Sequence, residues 1–258
     1  MKPYKCEGIL LLQRQLKEAD KLIVVWTSNE GKKAFVVKGA NKILGKKVTA
    51  LDTLNQISFS ALASKSEQQL LIEASIINDF SELKKHYDAV AAVMYMLELL
   101  DKFLTSEQSS HAFYNLFSNI LEQLNANPGN FNIFIVYFQM QLLLNTGFSP
   151  SLQNCCYCYD DLQPNQERIA NDTNEPGYIC QKHLDNIDKH LVYVSDTIIK
   201  IQKYLSSCDA LGVLNIKIKT TNLIELFNIQ NTWIEAILER SLNSKSLLKI
   251  WTKQEKST

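Results

Sequence analysis

No stretch of this sequence is apolar for long enough to cross a bilayer. Runs such as Leu22–Trp26 and Ile133–Phe138 fall far short of the roughly 20 residues that a spanning helix needs. The first residues carry lysines but no signal-peptide core: Ile9–Leu12 is too short and no small-residue cleavage site follows it. A cytoplasmic protein is therefore expected. In that compartment six cysteines point to reduced thiols or metal ligands rather than disulfides. Catalytic signatures are missing as well, since neither G-x-S-x-G nor H-E-x-x-H occurs. Gly39–Lys47 resembles a phosphate-binding P-loop only briefly. Its glycine spacing is wrong, and Lys47 stands where a Ser or Thr must hold Mg²⁺. There is no repeat of fixed period and no low-complexity segment. What remains is a chain of 258 residues, 46% hydrophobic and 21% charged, the composition of a folded protein with ample core.

Net charge is also absent, but only in the sum. Residues 1–60 hold eleven basic side chains against five acids, an excess of six that the rest of the chain cancels with sixteen against twenty-two. Six of those lysines (Lys32, Lys33, Lys38, Lys42, Lys46, Lys47) fall between Gly31 and Lys47, a stretch without a single acid. It starts as a strand, breaks at Gly39 and continues as a basic loop. Spaced cations on a strand and an adaptable loop suit a phosphate backbone. A solvated charged face is the alternative. With Arg14 nearby, these lysines are the candidate nucleic-acid contacts.

The first eighty residues read as strands, at Glu7–Gln13, Lys21–Thr27, Lys32–Lys38, Gln56–Ala63 and Gln69–Asn78. Ser28–Gly31 supplies the hairpin turn between the second and third. Alternation is clearest where Ile57, Phe59 and Ala61 oppose Ser58 and Ser60. Five strands in so short a span fit a small closed barrel of the OB type. From Ser81 the period lengthens to that of a helix, with Leu83, Tyr87, Val90, Met94, Leu97 and Asp101 on one stripe. A second helix starts near Ser109–Ser110 and ends at Asn127-Pro128-Gly129. A third, from Phe131 to Asn145, is apolar nearly all round and should be buried. Helical pattern returns at Val194–Leu205 and Leu223–Leu242. The fold class expected is α+β: a five-stranded OB barrel over 1–79, then an α-helical domain over 80–258 with a zinc-ribbon-like insertion at 151–183.

That insertion carries the sharpest local signal. Cys155-Cys156-Tyr157-Cys158 provides a Cys-x2-Cys pair, and Cys180-Gln181-Lys182-His183 provides Cys-x2-His beyond a polar loop. Two intervening residues let both side chains of a pair reach one tetrahedral ion, and a metal would order a loop that has little core of its own. Cys155, Cys158, Cys180 and His183 are thus candidate ligands of one structural zinc, with Cys156 able to substitute for Cys155. Four protein ligands close the shell and leave no position for a reactive water. Other residues take ordinary structural readings. Trp26, inside a Leu-Ile-Val-Val run, reads as core rather than a base-stacking platform. His86, His111 and His190 read as surface or capping residues, and Glu98 with Asp101 as a solvated face. Cys6 and Cys208 read as small buried hydrophobes.

The segment from Glu18 through Trp26-Thr27-Ser28-Asn29-Glu30-Gly31-Lys32 to Lys38-Gly39-Ala40-Asn41-Lys42 resembles the opening of the bacterial recombination mediator family RecO. Phe138, Leu142-Leu143 and Gly147-Phe148-Ser149-Pro150, leading into Cys155-Cys156-Tyr157-Cys158, resemble that family's helix and cysteine pair. The resemblance covers the whole chain in order. It implies a non-enzymatic DNA-repair protein, cytoplasmic and nucleoid-associated, that binds single- and double-stranded DNA and anneals complementary strands. It further implies contact with the C-terminal tail of SSB, and loading of RecA together with RecR. The family's basic motif falls on Lys38 and Lys42, with Asn41 where an arginine is common. His183 takes a position often held by cysteine, and Tyr159 replaces a common glycine. An apolar groove rimmed by Lys84, Lys85 or Lys102 is the expected dock for an acidic peptide tail. The rival class is an OB-fold and zinc adaptor that binds proteins without touching nucleic acid.

Overall fold

The computed structural model describes residues 3–16, 19–40, 50–62, 68–105, 110–164, 168–170, 175–186 and 193–248. The chain forms two compact units, Met1–Pro128 and Gly129–Thr258.

Five strands build the first unit: β1 (Pro3–Gln15), β2 (Lys21–Thr27), β3 (Gly31–Val37), β4 (Gln56–Leu62) and β5 (Gln68–Asn78). They close in the order β1-β2-β3-β5-β4, with β3 and β5 parallel and every other pair antiparallel. This is the expected OB barrel. Closure depends on β1, which pairs with β4 from Pro3 to Ile9 and with β2 from Gly8 to Gln15, its register slipping between Leu10 and Leu12. A bulge of this kind bends a strand enough to serve two neighbours. Gly8 stands where both pairings overlap, and a Cβ there would lie 2.4 Å from Val25 Cγ1 and 2.6 Å from the Trp26 carbonyl. Only glycine lets the strands approach so closely.

Alternation decides which side chains fill the barrel. Ile23, Val25, Phe35, Val37, Ile57, Phe59 and Ala61 point inward, with Phe35 and Phe59 edge to face at 4.9 Å. The opposite parity puts Trp26 on the outside, where it is nonetheless 1% exposed. Among the described residues three helices follow: α1 (Ser81–Lys84), α2 (Tyr87–Phe103) and α3 (His111–Ala126). Trp26 lies against Phe113, Tyr114 and Phe117 of α3, with ring centroids 5.3, 5.4 and 6.0 Å away. It is a core residue, as its apolar neighbours predict. This packing explains why the first compact unit runs on to Pro128, taking in helices expected to join the later ones.

Local departures have local causes. One helix is expected from Ser81, but His86 is extended (φ −113°, ψ 107°) and restarts the chain as the N-cap of α2. The break lets Phe80 and Leu83 bury fully, with the Leu83 N–H donating to Asn125 Oδ1 at 3.0 Å. Ser110 caps α3, its hydroxyl accepting from the Phe113 N–H at 3.2 Å, where the sequence places a helix start. Asp101 is not a solvated acid, because Lys32 donates to both its carboxylate and its backbone carbonyl at the end of α2. Cys6 and Cys208 are half-buried rather than buried. His190 lies outside the described residues.

The second unit is built on α4 (Phe131–Asn145), buried almost continuously from Phe134 to Leu143. It packs against α5 (Asp196–Ser207) and α6 (Thr220–Leu238). Gln141 shows how such a helix tolerates a buried polar side chain. Gln141 Nε2 reaches the Leu205 carbonyl at 2.9 Å, using an acceptor that the end of α5 leaves free. Tyr137 likewise donates to the Cys208 carbonyl at 3.2 Å. The insertion holds a small sheet in the order β6-β8-β7, formed by β6 (Ser151–Cys155), β7 (Arg168–Ala170) and β8 (Gly177–Cys180). Among the described residues no helix is long and apolar enough to cross a membrane.

Candidate metal centre and nucleic-acid interface

β6 ends at Cys155 and β8 ends at Cys180, and the two strands run parallel, side by side. A turn after β6 returns Cys158 toward them, and a 3₁₀ turn after β8 returns His183. The ligand atoms of Cys155, Cys158, Cys180 and His183 consequently lie within 4.8 Å of one another. Cys158 Sγ and Cys180 Sγ are 3.8 Å apart, and His183 Nδ1 is 3.3 Å from Cys180 Sγ and 4.0 Å from Cys155 Sγ. A tetrahedral Zn²⁺ with bonds of about 2.3 Å has sulfur–sulfur edges of about 3.8 Å. The quartet therefore has the donor chemistry and the dimensions for that ion.

Backbone N–H groups converge on the Cys155 sulfur and favour its charged form. Burial works against the charged form, but backbone N–H groups of Cys158, Cys180 and Tyr157 outweigh it and bring the thiol down to about 6. Cys156 has the opposite character. Its thiol donates to the Tyr178 carbonyl at 3.2 Å, and burial, helped by the Cys155 sulfur, pushes it up to about 12. Cys155, not Cys156, is the member of the quartet. Cys156 packs where a Cβ on Gly177 would come within 2.5 Å of its sulfur, so the glycine at φ +152° is required.

The turn closing the knuckle is held by Tyr159 N–H to the Cys155 carbonyl at 3.0 Å and Cys155 N–H to the Asp160 carbonyl at 2.8 Å. Tyr159 sits at φ +61°, in the left-handed region that disfavours any residue with a Cβ. Its side chain is 74% exposed. Tyr159→Gly is expected to raise stability by about 1 kcal/mol. The denaturant midpoint of the zinc-loaded protein checks this; an unchanged or lower midpoint would show the turn to be unstrained.

The basic residues divide into two groups. Lys32 and Lys33 begin β3, and both are neutralised. Lys32 pairs with Asp101 at 3.4 Å and Lys33 with Glu30 at 2.9 Å. Arg14 and Lys38 lie toward the other end of the barrel. Arg14 sits opposite Leu22 on β2, Leu22 opposite Val36 on β3, and Lys38 follows β3 directly. Arg14 is then roughly 10 Å from β3 by two strand spacings. Both cations are exposed, and among the described residues neither forms an ion pair. Lys21, not singled out from the sequence, joins them. It faces Gln15 and Val37 in the register, and among the described residues its ammonium donates to the neutral Gln13 Oε1, at 3.2 Å. Asp20 accepts from the Gly39 N–H at 2.9 Å and ties the β1–β2 turn to the end of β3. Lys42, Lys46 and Lys47 lie outside the described residues. The lysines expected to rim a peptide groove are engaged: Lys84 with Asn55, Lys85 with Glu82 and Lys102 with Asp101.

Residues 1–80 match the family described as Recombination protein O N terminal, and residues 84–246 match Recombination protein O C terminal. The chain belongs to the RecO family. Its similarity to curated members is low in identity but long in reach. The DNA repair protein RecO of Desulforamulus reducens is 25% identical over 248 residues, covering 96% of this chain and 94% of that protein. The DNA repair protein RecO of Exiguobacterium sibiricum is 28% identical over 247 residues, 95% of each chain. That of Listeria monocytogenes serotype 4b is 24% identical over 223 residues, 86% and 85% of the two chains. The family division falls between residues 80 and 84, at the step from barrel to helices.

Proposed function

We propose that this RecO-family chain is a DNA-repair recombination mediator. It binds single- and double-stranded DNA, promotes annealing, and acts with RecR to load RecA onto strands coated by SSB. The observation that carries the DNA-binding part is the grouping of Arg14, Lys21 and Lys38 at one end of the barrel without acidic partners among the described residues. Trp26 and its strand neighbours are covered by the chain's own α3, so the outer face at that end of β2 is occupied. A phosphate backbone would instead track the exposed end, where Lys17, Lys42, Lys46 and Lys47 are close in sequence. Annealing asks for no covalent chemistry. Cations on one surface lower the repulsion between two strands, and pairing supplies the free energy.

The zinc is structural in this reading, held by Cys155, Cys158, Cys180 and His183, and it supplies order to residues 151–183 rather than reactivity. For the SSB tail, a feature that fits is a cavity of about 170 Å³ lined by Leu152, Leu162, Pro164 and Ile199 together with Lys200, Lys203 and Asp196. Apolar side chains beside two cations, which outnumber the single acid, suit an acidic peptide that ends in a large apolar side chain.

A filter-binding titration across salt tests the DNA-binding part. On single strands the log–log slope is expected to be about −2 for three phosphate contacts, at about −0.7 each, and steeper if the neighbouring loop lysines join. Affinity that ignores ionic strength would overturn it and favour a protein-binding adaptor, a role that the neutralised Lys32 and Lys33 also suit.

A further inference from the structure

Tyr178 belongs to two structures at once. It lies on β8, two residues before the candidate ligand Cys180, and its backbone is part of the ribbon. Its carbonyl accepts the Cys156 N–H at 2.9 Å and the Cys156 thiol at 3.2 Å. Two residues further along the strand, the Cys180 N–H donates to Cys155 Sγ at 3.3 Å. The side chain leaves the ribbon entirely. It is 0% exposed, its hydroxyl donates to Gln202 Oε1 on α5, and its ring meets Trp233 of α6 edge-on at 5.6 Å and 69°.

The two helical partners depend on it. Gln202 and Trp233 are each 0% exposed, and Gln202 Nε2 and Trp233 Nε1 have no hydrogen-bond partner among the described residues. A buried donor left unmet costs about 1–3 kcal/mol, so this part of the core already carries polar groups it does not satisfy. Withdrawing Tyr178 would orphan the Gln202 oxygen as well and open a void beside Trp233. The position of one tyrosine thus decides whether α5 and α6 pack together here, and that position is set by a strand that ends in a metal ligand.

We propose that metal occupancy of the ribbon controls the packing of α5 against α6, with Tyr178 as the connecting element. The proposal rests on the reading of Cys155, Cys158, Cys180 and His183 as a zinc site. It goes beyond a zinc that merely orders its own loop. Its consequence is for the cavity described above, which takes Leu152, Leu162 and Pro164 from the ribbon and Asp196, Ile199, Lys200 and Lys203 from α5. A pocket with one wall on each body keeps its shape only while the two are joined, so docking there becomes conditional on the metal.

The test uses the full chain labelled with 5-fluorotryptophan, whose three tryptophans give three fluorine resonances, the Trp233 line being assigned by Trp233→Phe. Zinc content is measured first with a chromophoric indicator, then zinc is removed by chelation and restored. The Trp233 resonance should shift or broaden on removal, amide exchange across 196–207 should quicken at least tenfold, and both should reverse with zinc. Tyr178→Phe should keep its zinc yet show faster exchange in α5 before any chelation, and respond less to it. Gln202→Leu, which removes the other half of the bond, repeats the test should Tyr178→Phe fail to fold. A protein that binds one zinc, but whose removal quickens exchange only within 151–183 and leaves the Trp233 line in place, overturns the coupling while sparing the metal site. A protein that binds no zinc overturns both.

Discussion

Arg14→Glu combined with Lys38→Glu should lower affinity for single-stranded DNA on the order of 100-fold at low salt. Each exposed cation–phosphate contact contributes about 1–1.5 kcal/mol, and tenfold in affinity is about 1.4 kcal/mol, so two lost contacts give that factor before the added repulsion. The salt dependence should flatten in step, the log–log slope losing about 0.7 per contact removed. Strand annealing should fall with it, because the cations act by holding two polyanions together. Folding should be spared. Both side chains are exposed and neither supports another group among the described residues, so the thermal midpoint should stay within about a degree or two. Unchanged DNA affinity in this variant would remove the barrel end from consideration.

Lys32→Glu makes the informative contrast. Its charge is equally prominent in the sequence, yet its ammonium is committed to the carboxylate and carbonyl of Asp101. Reversal there sets two acids against each other at the end of α2, where the helix dipole is already negative. Stability should suffer while the salt slope of DNA binding holds. Lys32→Glu changes the net charge by half as much as the double variant, so a simple dependence on total charge would still weaken DNA binding by about tenfold, and an unchanged affinity excludes it.

That contrast also marks what can be read from sequence. The barrel was legible because its strands alternate cleanly: Ile57, Phe59 and Ala61 against Ser58 and Ser60 is a pattern only a half-buried strand satisfies. Helix α4 was legible for the opposite reason, its apolar residues having no exposed side to spare. The metal quartet showed itself through paired spacing. Choosing between Cys155 and Cys156 was another matter, since adjacent residues differ only in which way the strand turns them. Contacts made at long separation left no local trace. Lys32 and Asp101 are 69 residues apart, and nothing near either one signals the other. Trp26 was placed in the core, but the identity of its cover, Phe113, Tyr114 and Phe117, came only with the fold. The β6-β8-β7 sheet leaves no such pattern, because three strands of three to five residues are too short to show a period. Their pairing is dictated by the turns around the ligands rather than by apolar alternation.

Cys155→Ser and Cys156→Ser test that last point with the largest expected difference between neighbouring positions. Structural zinc is bound with about 10–16 kcal/mol by four ligands together, so losing one should cost roughly a quarter of it, or on the order of 10²–10³-fold in affinity. Cys155 should incur at least that much, since its sulfur also accepts the N–H groups of Tyr157 and Cys180, at 3.4 and 3.3 Å, which hold the knuckle together. A serine hydroxyl is both a weaker ligand and a weaker base for those donors. Cys156→Ser should keep one zinc per chain. Its hydroxyl can still donate to the Tyr178 carbonyl, leaving only a modest packing loss against Gly177. Competition with a chromophoric chelator reads both outcomes directly. DNA affinity, measured in parallel, should be nearly level across the pair, because the phosphate contacts are assigned to the barrel and the zinc to the ribbon. A Cys156 variant that releases zinc while the Cys155 variant retains it would reverse the ligand assignment. A large loss of DNA binding in the Cys155 variant would instead bring the ribbon into the nucleic-acid interface.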